Sequence, residues 1–198
     1  MKKLLKMLKI HTFLFLTLIS LTSCSFLSTK PYQKVSYFTL GNDEQFEKTN
    51  YNVTINVFRS LLPEKFRMIY IKNQYQVYID DYNKWIQPPE FMLKKYLNNK
   101  FAYQSQETNF MVSGTIENFD IDTDNFEVRI NVTYKIYEKN DVVHKKLICA
   151  RQFNKKTKFK KLDPKAFAKA FTLLSNNLAE DIRNSINNYL EEATDENK

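Results

Sequence analysis

The chain has 198 residues and a formal net charge of +8, with 43% apolar and 15% aromatic residues but only 2 glycines, 2 cysteines and 2 histidines. So few glycines exclude a glycine-rich phosphate cradle. The aromatic content instead suits one domain with a large packed core.

The N-terminus carries Lys2, Lys3, Lys6 and Lys9 without an acid, followed by the apolar run Ile10 to Ser20. A basic start, a short apolar stretch and small residues before a cut site make an export signal. The apolar stretch, about a dozen residues, is well short of the roughly 20 that a spanning helix needs. It closes on Leu21-Thr22-Ser23-Cys24, which reads as a bacterial lipobox. On that reading the Cys24 thiol takes a diacylglycerol, the chain is cut before it, and its amine takes a further acyl chain. No other cofactor is expected. Removing residues 1–23 takes away four lysines, so the charge falls from +8 to +4 and the argument for a nucleic-acid partner goes with it. Ser25 rather than aspartate after Cys24 points to the periplasmic face of the outer membrane. Beyond Cys24 only Cys149 remains, so no intrachain disulfide can form once Cys24 is lipidated.

Residues 25–34 read as a tether. Val35 to Leu40 is a short strand, and Tyr51, Val53, Ile55 and Val57 alternate with polar residues as a half-buried one. Met68 to Ile71 and Tyr75 to Ile79 flank Asn73-Gln74, a hairpin turn. Pro88-Pro89-Glu90 opens a helix that should exit at Asn98-Asn99, with Met92, Leu93, Tyr96 and Leu97 as its apolar stripe. Phe110, Val112, Gly114 and Ile116 alternate until the phase shifts at Asn118-Phe119, the mark of a bulge. Phe126 to Ile136 alternates without a break, with one core face and one wet face. Val142 to Phe153 is the next strand, with Val143, Leu147, Cys149 and Phe153 on one face. Asp163 and Pro164 open a long helix whose stripe runs from Phe167 to Leu190. The expected architecture is α+β: a mainly antiparallel, curved sheet with two covering helices, in a single domain at 35–190, preceded by a signal peptide (1–23) and a lipidated tether (24–34) and followed by a polar tail (191–198).

Chemistry-bearing residues are sparse. His144 follows a turn and reads as a surface histidine, and Cys149 as a buried, inert thiol. Asp120, Asp122 and Asp124 resemble the opening of a calcium loop, but Asn125 stands where the glycine belongs and Asn131 where the closing glutamate belongs, so the segment reads as a turn. No metal site and no catalytic residue is expected. The one candidate binding feature is Lys155, Lys156, Lys158, Lys160 and Lys161, either a solvated loop or a contact for anionic headgroups or an acidic partner.

Several segments together resemble the ABC-type transport auxiliary lipoproteins, the PqiC-like family. They are Tyr37-Phe38-Thr39-Leu40, Val53-Thr54-Ile55-Asn56-Val57, Leu62-Pro63, Ile69-Tyr70-Ile71, Tyr78 and Trp85-Ile86-Gln87-Pro88-Pro89. The family's run around the tryptophan is Arg-Trp-Ala-Glu-Pro-like, so Trp85 and Pro88 are kept while the flanks differ. The resemblance implies a non-enzymatic accessory subunit of an ABC transporter built around mammalian-cell-entry (MCE) domains, which moves phospholipid between two membranes. It implies as partners an MCE-domain protein, a permease and an ATPase, with a docking or ring-forming surface on the lipoprotein. Another envelope-assembly lipoprotein, serving outer-membrane protein or lipopolysaccharide insertion, is the alternative.

Overall fold

A computed structural model describes residues 32–41, 51–101, 109–139 and 145–195. The leader, Cys24, most of the tether and His144 lie outside the described residues. The domain, from Val35 onward, is one compact unit.

The strands are β1 (Ser36–Phe38), β2 (Asn52–Ser60), β3 (Arg67–Lys72), β4 (Gln76–Trp85), β5 (Asn109–Asp122), β6 (Glu127–Lys139) and β7 (Lys145–Lys158); the helices are α1 (Pro89–Lys100) and α2 (Pro164–Asp195). They form one seven-stranded sheet in the order β1-β4-β3-β5-β6-β7, with β2 also paired to β5. One edge of β5 serves two partners. β2 runs along Asn109 to Ile116, and β3 meets Ile121 and Asp122.

The α+β class is as expected, but the sheet is mixed. β3–β4, β5–β6 and β6–β7 are antiparallel, whereas β1–β4, β2–β5 and β3–β5 are parallel. Period-two alternation reports which face is wet, not which way the neighbour runs. The β3–β4 hairpin and α1 intervene between β2 and β5, and such a crossover brings strands together in parallel.

Along β6, Val128, Ile130, Val132, Tyr134 and Ile136 are buried while Arg129, Asn131, Thr133 and Lys135 face out. The phase shift expected at Asn118 is a register shift between Ile116 and Asn118. The turn at Asn73-Gln74 has both residues at positive φ, 51° and 61°, and the Tyr75 N–H donates to the Lys72 carbonyl at 3.3 Å. That is the twist a tight hairpin needs.

Several expectations are corrected. Phe126, read as the first core residue of the β6 alternation, lies before that strand at φ 55° and is 41% exposed. Val57 leaves the buried face because β2 shifts register between Ile55 and Phe58, and Phe58 takes its place in the core. Leu147 and Cys149 do not share a face, since a shift between Ile136 and Tyr137 pairs Cys149 with the first and Leu147 with the second. Helix α1 does not exit on a left-handed asparagine. It runs to Lys100 and caps on Phe101 at φ −97°, because buried Phe101 continues the stripe of Leu93 and Leu97. At the C-terminus, α2 carries on through Glu191 to Asp195, a stretch without proline or glycine to stop it.

Helix α1 packs on β2, α2 packs on β6 and β7, and the two helices touch. Between helices and sheet, Trp85 is 2% exposed and meets Phe119 and Phe171 edge-on at 5.4 Å each, while those two rings stack at 4.1 Å. Tyr134 reaches from β6 to α2, donating to Asp181 Oδ2 at 2.6 Å.

Candidate functional site

The lysine run is a strand and a loop rather than one loop. Lys155, Lys156 and Lys158 continue β7, the last strand of the sheet, opposite Ile130, Arg129 and Glu127. Alternation sends Lys155 to the helix-covered face and Lys156 and Lys158 to the other. Lys156 Nζ pairs with Glu127 Oε2 at 2.8 Å. Lys160 and Lys161 follow in the connection to α2 and are exposed. Lysines along an edge strand also discourage pairing with another chain.

Strand directions gather three connections at the end where these lysines lie. β5 runs towards Asp122, β3 lies parallel to it, and β7 ends at Lys158 opposite Glu127. The β3–β4 turn, the β5–β6 turn and the β7–α2 connection are therefore neighbours. Hydrogen bonds join them. Thr123 donates both its N–H and its hydroxyl to the Ile71 carbonyl, at 3.1 and 3.2 Å, and the Asn73 N–H donates to Asp124 Oδ2. The Phe159 N–H donates to the Phe126 carbonyl at 2.9 Å, and the two rings lie 5.7 Å apart.

The carboxylates of this end are committed locally. Asp122 accepts the N–H groups of Asp124 and Asn125 and the Asn125 amide. Burial pushes its carboxyl up, but the bonds from Asn125 and Asp124 outweigh it and hold the group below its ordinary value. Asp163 Oδ1 caps α2 by accepting the Lys165 N–H at 3.0 Å. Asp120, 3% exposed, pairs with Arg129 Nε at 2.7 Å. The three aspartates of the calcium-like segment thus serve three different partners, as a turn would have them. No group of three metal-ligating side chains occurs among the described residues, and no described helix is long and apolar enough to cross a membrane.

What the sequence did not reveal is that each of the three connections presents a large apolar side chain to solvent. Tyr75 is 88% exposed, Leu162 59% and Phe126 41%, and Val77 stands beside them on β4. Phe126 sits at φ 55°, a left-handed backbone that a bulky residue seldom adopts. Large apolar residues inside turns were the available signal, with lysines close by at Tyr75 and Leu162 but not at Phe126, and only topology brings the three connections to one end.

Open hollows also occur elsewhere among the described residues. Two, of about 380 and 240 Å³, flank Thr39–Gly41 where it passes α2 and α1, and the Gly41 N–H donates to Thr172 Oγ1 at 2.9 Å. A third, of about 460 Å³, lies on the uncovered sheet face beside Arg59, Lys135 and Tyr137. Cys149 is a half-buried free thiol.

No family model matches the chain, and no curated protein matches it. Solved structures do share its fold. The crystal structure of protein XCC0632 from Xanthomonas campestris, described as a DUF330 family member, superposes with a TM-score of 0.64 at 11% identity, over 81% of this chain and 99% of that one. The crystal structure of an uncharacterized protein superposes with a TM-score of 0.57 at 17% identity, over 80% of this chain and 99% of its own. The α+β arrangement is thus one that other chains adopt.

Proposed function

We propose that this chain is a non-enzymatic lipoprotein, held on the periplasmic face of the outer membrane through Cys24, that serves as accessory subunit of an MCE-type ABC intermembrane phospholipid transporter. The observation that carries the reading is Leu21-Thr22-Ser23-Cys24 at the close of a basic, then apolar, leader. One acyl chain binds a membrane only marginally, whereas two or three hold it stably. The order of segments shared with the PqiC-like family supports the transporter role. The packed interior also fits a domain that positions its neighbours: rings such as Trp85, Phe119 and Phe171 fill the space between helices and sheet. The carboxylates described above serve turns, caps and ion pairs.

The test is a mild-detergent pull-down of the C-terminally tagged full chain from its own host. An MCE-domain protein, a permease and an ATPase should co-elute with phospholipid. Recovery of a β-barrel insertase instead would assign the chain to outer-membrane assembly and overturn the transporter role.

A further inference from the structure

Resting on the lipid-anchor reading above, we propose that the end of the domain formed by the β3–β4 turn, the β5–β6 turn and the β7–α2 connection is its membrane-facing surface. It seats on an anionic bilayer, with Tyr75, Phe126 and Leu162 at headgroup depth.

Exposed loops are ordinarily polar, and a cluster of exposed apolar side chains marks a contact surface. Here all three connections carry one, and hydrogen bonds between the connections hold them as a unit. The charge around them selects the partner. Lys72, Lys158, Lys160, Lys161 and Lys165 ring the apolar group, and among the described residues none of these five makes an ion pair. Asp122, Asp124 and Asp163 bond backbone N–H groups and keep their charge while Glu127 pairs with Lys156, so the five lysines against three aspartates leave this end positive by two. Tyrosine and leucine within a lysine ring match a headgroup layer, where amphipathic rings sit at the interface and lysines meet anionic lipid.

The path of the chain agrees. β1 runs parallel to β4 with Ser36 opposite Asn83, so the polypeptide joins β1 from the side of Gln76. The seven residue-to-residue steps from Asn83 to Gln76 span about 23 Å. The ten residues 25–34 reach at most about 33–36 Å. An extended segment of ten residues is therefore long enough to cover that span.

The test uses the lipidated full chain in vesicles of phosphatidylethanolamine and phosphatidylglycerol. In a Cys149→Ser background, an environment-sensitive fluorophore is placed at Tyr75→Cys, Phe126→Cys or Leu162→Cys. The control is Leu147→Cys, at the opposite end of β7 and 51% exposed, between Phe126 and Leu162. The first three should shift to the blue and be quenched by brominated acyl chains, while the control should do neither. Lys160→Glu with Lys161→Glu should lower the equilibrium constant for seating at least tenfold, since each lysine is worth about fivefold against an anionic surface. Circular dichroism confirms that each variant is folded. Equal quenching at Leu147, no quenching in protein that floats with the vesicles, or a shift that needs protein concentration rather than lipid would each overturn the proposal. The last would assign the surface to a second copy. Protein that neither floats nor carries acyl chains on Cys24 would instead bring down the anchor reading, and this proposal with it.

Discussion

The Phe58 ring covers the α-carbon of Gly114, where a β-carbon would stand 2.7 Å from Phe58 Cε1. The two residues are paired in parallel across β2 and β5, and Phe58 occupies that place because the bulge after Ile55 turns it inward. Phe58 is buried, so its ring cannot swing aside freely. Gly114→Ala is therefore expected to cost about 1–3 kcal/mol by overpacking. Denaturant unfolding of the single variants and of Gly114→Ala with Phe58→Leu forms the cycle that checks it. The double variant should recover part of the loss, and strict additivity would contradict the contact.

The Tyr134 hydroxyl ties the middle of β6 to α2 through Asp181 and Ser185. Tyr134→Phe removes a buried hydrogen bond to a charged group, and the expected loss is about 1.5–3 kcal/mol. Burial, with help from Asp181, raises the Tyr134 pKa above its ordinary value. In alkali the unfolded chain therefore loses this proton before the folded one does. Its stabilising contribution is whole below about pH 10 and declines as pH rises beyond it. Thermal unfolding compared between pH 8 and pH 11 should fall less in Tyr134→Phe than in the parent.

Glu64 accepts the N–H groups of Phe66 and Lys65 and the guanidinium of Arg67. The Phe66 bond first, then the Arg67 bond, brings its pKa down to about 2. The folded value lies below the unfolded one, so this contribution is present above about pH 4.3 and is lost as pH falls towards the folded value. A carboxyl NMR titration should place the Glu64 midpoint near the depressed value, and Arg67→Met should move it up. An ordinary midpoint in the parent protein would contradict the network.

Gln74 holds φ at 61° in the exposed β3–β4 turn, where a β-carbon is unfavourable. Gln74→Gly should stabilise the domain by about 0.5–1 kcal/mol, the strain relieved exceeding the added chain entropy. Equilibrium unfolding that shows a net loss would mean that the Gln74 side chain holds the turn.

Much of this fold was legible because side-chain alternation is a local property. The faces of β6, the shift at Asn118, the turn at Asn73-Gln74 and the stripe of α2 all follow from neighbours a few residues apart. The exchange of Val57 for Phe58 was not legible, since the space for Phe58 comes from Gly114, more than fifty residues away and on another strand. Strand direction was hidden for the same reason. The end proposed to face the membrane was half visible. The lysines from Lys155 to Lys161 stand out as a run, but Tyr75, Phe126 and Leu162 are each isolated in the chain and come to one end only because β3, β5 and β7 terminate together.

The proposed function requires a body held to a membrane through Cys24. Mass spectrometry of the N-terminal peptide of protein purified from its own envelope tests it most directly. The account predicts a peptide beginning at Cys24 that carries diacylglycerol on its thiol and an acyl chain on its amine. A peptide that begins elsewhere, or an unmodified Cys24, would contradict it.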